Sequence, residues 1–132
     1  MTAPDPMGYA FNRTRRAFLA TRLCIAGTHW SRLRGLICTA AASFRTGQGL
    51  WIVPSRGVHT FAMRFPIDVV YLDEDKVVIH AEQDLRPWRV APVRLGAASV
   101  LELPANTLNS TGTVVGDEIE IALGQAGEVQ TA

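Results

Sequence analysis

The run Ile67-Asp68-Val69-Val70-Tyr71-Leu72 is followed by the polar quartet Asp73-Glu74-Asp75-Lys76 and then by Val77-Val78-Ile79-His80-Ala81. This stretch constrains the fold most. Both apolar runs have strand length and are rich in β-branched and aromatic residues, and the quartet between them is turn chemistry. Together they predict a β-hairpin. The same grammar recurs along the chain. Phe18 to Ile25 alternates and reads as a strand, Leu50 to Val53 is a short apolar run ended by Pro54, and Ser99 to Leu103 is another strand. Gly116-Asp117 is a turn before a last strand, Glu118 to Leu123. Arg86 to Val93 is irregular or an edge strand, because Pro87 and Pro92 exclude a central position.

Helical signals are few. Thr28 is placed to cap a short helix in which Trp30, Leu33 and Ile37 recur at helical spacing. Pro104 to Ser110 predicts a second short helix, with Pro104 in its first turn. The fold class is therefore mainly β (α+β): a compact β barrel or sandwich of about six or seven short strands with one or two short helices. The 132 residues fit a single β-rich domain over residues 14–124. A flexible N-terminal tail is expected over 1–13, where Pro4, Pro6 and Gly8 fall, and a C-terminal tail over 125–132.

Apolar residues make up 48% and charged residues 19%, enough for a real core. No apolar run approaches the ~20 residues of a membrane span, so a soluble protein is expected. Residues 1–66 carry nine arginines and one acid, whereas residues 67–132 carry eleven acids and four basic residues. In one small domain such halves interleave and pair. No basic stripe is interleaved with aromatics, so a nucleic-acid partner is not expected.

Thr14-Arg15-Arg16-Ala17-Phe18-Leu19 has the look of a twin-arginine export signal. Arg22 interrupts the apolar stretch such a signal needs, and a strand is the preferred reading. A cytoplasmic location is expected on that basis. Cys24 and Cys38 have apolar flanks and read as two buried thiols, with a single disulfide as the lesser alternative. No CxxC or HxxxH pair exists, so neither a metal nor another cofactor is expected.

The segment VHTFAMRFPIDVVYLD, the later SVLELPANT and TVVGDEIEI, with RLRGL ahead of them, resemble in this order the bacterial and archaeal family known as domain-of-unknown-function family 192. The resemblance covers about residues 20 to 122. It implies a small β-rich fold and no particular reaction, and some relatives carry export signals. Where the family usually has a glycine after LELPA, this chain has Asn106. Asparagine tolerates the left-handed backbone better than most residues, so the turn can survive.

His59 follows Gly57 on an expected loop and has the chemistry of a general base, a proton-linked switch or a metal ligand, or else of a hydrogen-bonded brace that fixes the loop. Asp68 sits inside an apolar strand, where a carboxylate costs several kcal/mol unless bonded. It is either a brace or a group lining a cleft. Glu102 poses the same question between Leu101 and Leu103, eased if it faces solvent. Asp117 is expected to stabilise its turn. Phe61, Met63 and Phe65 are expected to plug the barrel. Trp88, beside Arg89, is an aromatic able to stack on a sugar or base, or equally to cap the core.

No GxSxG, P-loop, GxGxxG or HExxH motif is present. The leading expectation is a non-catalytic ligand- or partner-binding accessory module. Its surface would include His59, Thr60, Arg64, Asp68 and Trp88, and its partner would be a small molecule, glycan or protein. A small hydrolase or lyase using His59 with Asp68 or Glu102 is the second reading. A structural interaction protein with an exposed strand edge is the third.

Overall fold

The computed structural model describes residues 8–26, 46–57, 65–86 and 92–123. Among these, the chain forms strands β1 (Gly8–Asn12), β2 (Ala17–Ala26), β3 (Gln48–Ile52), β4 (Ile67–Leu72), β5 (Val78–Leu85) and β6 (Ser99–Pro104), a short helix α1 (Thr107–Thr111), and β7 (Ile119–Ala122). The strands form one seven-stranded sheet in the order β5-β4-β6-β3-β2-β1-β7. All neighbours are antiparallel except β2 and β3, which run parallel. No described helix is long and apolar enough to cross a membrane.

The sheet curls until its two edges meet at one end. Val77 bridges Glu118, the Val78 N–H donates to the Asp117 carbonyl, and the Ile119 N–H donates to the Lys76 carbonyl. The turn that makes this possible is set by Asp73, whose Oδ1 accepts from the backbone N–H groups of Asp75 and Val77. Lys76 completes it in the left-handed region, at φ 64°.

Curling gives the sheet two apolar faces. On the concave face Ala10, Leu19, Leu23, Val70, Leu72, Leu101, Leu103 and Ile119 converge with Leu108 from α1. Strands from both edges of the sheet contribute, so this is the barrel interior. Gly49 lets the wall close there, because a Cβ would lie 2.8 Å from the Ala20 Cβ and 3.1 Å from a Leu103 methyl. On the convex face Leu50, Ile52, Ile67, Val69, Tyr71 and Val100 form a second core. Ala97, Phe65 and Cys24 pack against it. Phe65 thus covers the outside of the sheet rather than plugging the barrel; Phe61 and Met63 lie outside the described residues.

Three further expectations change. Residues 8–12 form β1, inside the segment expected to be a tail. Ala10 and Asn12 are buried while Tyr9 and Phe11 face outward, so small inward residues hide a strand that the nearby prolines argued against. Pro104 ends β6 instead of opening the helix, which starts at Thr107. Cys24 is disulfide-bonded rather than a free thiol. Cys38, the other cysteine, and the helix expected near Trp30 lie outside the described residues.

Candidate functional site

Asp68 is fully buried on the concave face, directly opposite Leu103. Both of its carboxylate oxygens are used. Oδ1 accepts from the Asp84 backbone N–H at 2.9 Å, and Oδ2 accepts from the Leu108 N–H at 2.8 Å. Each donor needs this partner. Between the pairs Ile67–Leu85 and Val69–Glu82 the register of β4 and β5 shifts, so Gln83 and Asp84 together oppose Asp68. This is a β-bulge, and it holds Asp84 at φ 55°. Leu108 lies in the first turn of α1, where backbone N–H groups have no partner within the helix. The preceding Asn106 is left-handed, at φ 78°, and makes no side-chain cap. Asp68 therefore caps α1 from a distant strand and pins the bulge at the same time. Of the two roles considered for it, the geometry is that of the brace.

Around this junction lies a pocket of about 340 Å³ lined by Asp68, Gln83, Asp84, Ala105, Asn106 and Asn109. The Asn109 amide donates to Asn106 Oδ1 at 3.2 Å. Asp84 faces Arg86 at 3.6 Å in an exposed ion pair. Gln83, Asp84 and Asn109 were not singled out by sequence reading. The bulge that aims the first two has no sequence signature here, and the Asn106/Asn109 pair gains meaning only once α1 is seen to begin between them.

Glu102 is fully buried and does not face solvent. It opposes Leu50 on one side and Val69 on the other, both members of the convex core. Asp68 and Glu102 thus stand on opposite faces of the sheet, and no third group can meet both on one face. His59, Thr60, Arg64 and Trp88 lie outside the described residues.

Other polar clusters occur among the described residues. At the end where the sheet closes, Asn12 is fully buried, and its amide donates to Thr113 Oγ1 and to Asp117 Oδ2, both at 2.9 Å. Asp117 also accepts from Arg15 Nε at 3.0 Å and from the Val114 N–H at 3.1 Å. Burial pushes the Asp117 carboxyl up, but the hydrogen bonds from Arg15, Asn12 and Val114 outweigh it and hold the group below its ordinary value. The expected turn role is present, extended into a clamp on β1. Arg15 belongs to this clamp, and Ala17 onward is strand, in keeping with the strand reading of the twin-arginine segment.

On the convex face Tyr71 is fully buried and donates to the Pro92 carbonyl at 2.6 Å. Burial pushes its phenol up to about 12, so it remains a donor. The His80 ring meets Tyr71 edge-on at 5.0 Å. His80 Nε2 lies 2.6 Å from Glu82 Oε2 and 3.4 Å from an Arg94 amino group. One nitrogen cannot donate to the carboxylate and accept from the guanidinium at once, so the tautomer selects between them. Among the described residues no group of three or more His, Cys, Asp or Glu side chains is placed to hold a metal ion.

Comparison with known proteins agrees with this architecture. A Thermococcus sibiricus UPF0127 protein is 31% identical over 114 residues, covering 83% of this chain and 71% of the relative. A Pyrococcus abyssi UPF0127 protein is 36% identical over 63 residues, 48% of this chain and 53% of its own length. A crystal structure of a Novosphingobium aromaticivorans protein of unknown function superposes with a TM-score of 0.67 at 17% identity, covering 87% of this chain and 83% of the other. A Sinorhizobium meliloti protein, described as a candidate transcription regulator, superposes with a TM-score of 0.70 at 20% identity over 88% and 92% of the two chains. These two likenesses show a shared fold and nothing about activity. The model of the family described as Uncharacterized ACR, domain of unknown function 192, matches residues 10–121, so the chain belongs to that family.

Proposed function

We propose that this protein is a non-catalytic ligand-binding module whose recognition pocket is built at the junction of β4, β5 and α1. The observation that carries the reading is the pocket of about 340 Å³ whose walls are fixed by Asp68. That volume is within the ordinary range for small-ligand sites. The lining is preorganised, because the bulge and the first turn of α1 are both tied to one buried carboxylate. A carboxylate whose two oxygens already accept backbone N–H groups is poorly suited to proton transfer, which favours binding over acid–base catalysis.

His59, Thr60, Arg64 and Trp88 extend the same recognition surface in this proposal. Support comes from the connectivity. Ile67 and Leu85 are cross-strand partners. Arg64 precedes Ile67 by three positions and Trp88 follows Leu85 by three, so both are close in sequence to the pocket-lining Asp68 and Asp84.

A thermal-shift screen with sugars, nucleotides, peptides and metal salts tests the reading. A ligand that binds the folded state raises Tm with concentration. The expected result is a shift that is abolished in H59A, R64A and N109A while the unliganded Tm is retained. Unfolding of H59A or R64A would mark those residues as braces. A shift unchanged in all three variants would place binding elsewhere and reject the pocket.

A further inference from the structure

We infer that the ligand taken by this pocket is a neutral, hydroxyl-rich molecule carrying a vicinal diol, such as a saccharide ring; the inference rests on the binding reading above and names its ligand class. The lining side chains are two carboxylates, three amides and one methyl. Among the described residues no cationic side chain lines the pocket, and Arg86, 3.6 Å from Asp84, balances that one carboxylate without leaving an excess of positive charge for a phosphate or carboxylate ligand. A hard divalent cation needs six or more oxygen ligands in typical sites. Here both Asp68 oxygens are committed to backbone N–H groups, which among the described residues leaves Asp84 as the single available carboxylate in the lining. An apolar ligand would strip water from five polar side chains without replacing their hydrogen bonds.

The amides point to what remains. Asn109 donates its amide to Asn106 Oδ1. That bond orients both groups, leaving the Asn106 NH₂ as a donor and the Asn109 carbonyl as an acceptor. Adjacent hydroxyls can accept from the one and donate to the other. Asp84 accepts from further hydroxyls, and its exposed pair with Arg86 is weak enough to be displaced. A molecule with only donors or only acceptors satisfies half of this set. A polyol satisfies both halves at every hydroxyl.

The test is a titration of the full chain followed by backbone and side-chain amide NMR. The probes are the methyl glycosides of glucose, galactose, mannose and N-acetylglucosamine. Calcium chloride, inorganic phosphate and N-acetylglycinamide are comparison probes; the last has amide donors and acceptors but no diol. The expected result is saturable movement of the Gln83, Asp84, Asn106 and Asn109 resonances with at least one glycoside, weakened about tenfold or more in D84G and N109A. That is the loss of roughly one charge-assisted hydrogen bond. Glycine suits the positive φ at position 84, and Asn109 is exposed, so both variants should fold. Movement with calcium, phosphate or N-acetylglycinamide in place of the glycosides would overturn the diol class and leave the binding module standing. No movement with any probe would overturn the pocket itself, and this inference with it.

Discussion

Asp68 and Asp117 are both buried carboxylates, and their surroundings give each a different test. Asp68 accepts two backbone N–H groups, from Asp84 and Leu108. In D68N one oxygen becomes an NH₂ group facing an N–H donor. Losing a charge-assisted bond and leaving a buried N–H unpaired should cost about 2–4 kcal/mol. Urea unfolding of the variant checks the magnitude, and hydrogen exchange at Asp84 and Leu108 checks the cause. Native stability with native protection would reject the brace. Asp117 instead predicts a pH dependence. Its folded value lies below the unfolded one, so its contribution is complete above about pH 4, the ordinary aspartate value, and is lost as pH falls through the folded value. Glu120 acts in the same direction, because the Tyr9 hydroxyl donates to it and favours the ionised form. The urea midpoint should therefore drop on acidification below that point. D117N should already be less stable at neutral pH and should show a shallower acid limb; an unchanged limb would assign the acid response elsewhere.

The strands were legible because apolar alternation and turn residues agree there. The hairpin β4–β5 and strands β3 and β6 fall where the sequence predicts them, within a few residues. What failed had specific reasons. β1 was hidden because its inward residues are Gly8, Ala10 and Asn12, which carry no hydrophobic signal. The far half of β5, Glu82 to Leu85, was missed because the bulge breaks the alternation there. That half supplies two walls of the pocket, so the site was less legible than the fold. Asp68 was visible as an anomaly, but its partners are backbone N–H groups, which no side-chain pattern reveals. Asn106 shows the opposite case: the family resemblance implied a left-handed turn there, and φ is 78°. An element-scale prediction follows. N106G should keep stability within a few tenths of a kcal/mol of the parent, whereas N106V should cost at least ~1 kcal/mol, since a β-branched residue is strained at that φ. Thermal unfolding of the two variants checks the ranking, and equal Tm values would contradict it.

At the scale of the molecule, one sheet serves two cores, and Glu102 belongs to the convex one rather than to solvent. The disulfide at Cys24 adds a covalent constraint beside that core. If Cys24 pairs with Cys38, the chain's other cysteine, the link closes a loop of roughly 15 residues, which by chain entropy is worth about 3 kcal/mol. C24S should lower Tm, and a reductant should lower the parent to a similar value while leaving the variant unmoved. Reductant insensitivity of the parent would show that the constraint carries no stability.

The pairing of β1 with β7 has a consequence for how the chain can be rewired. Tyr9 lies opposite Ala122, and Gly8 sits so close to the Ala122 carbonyl that no side chain fits between them. The first and last described strands are therefore neighbours, while Glu74 and Asp75 are exposed at the tip of the Asp73–Lys76 turn and do not line the pocket. Joining the strand ends by a short glycine-serine linker and opening the chain at Glu74 would give a circular permutant in which β5 begins the chain and β4 ends it, with the Asp73 contacts that close the sheet now at the new termini.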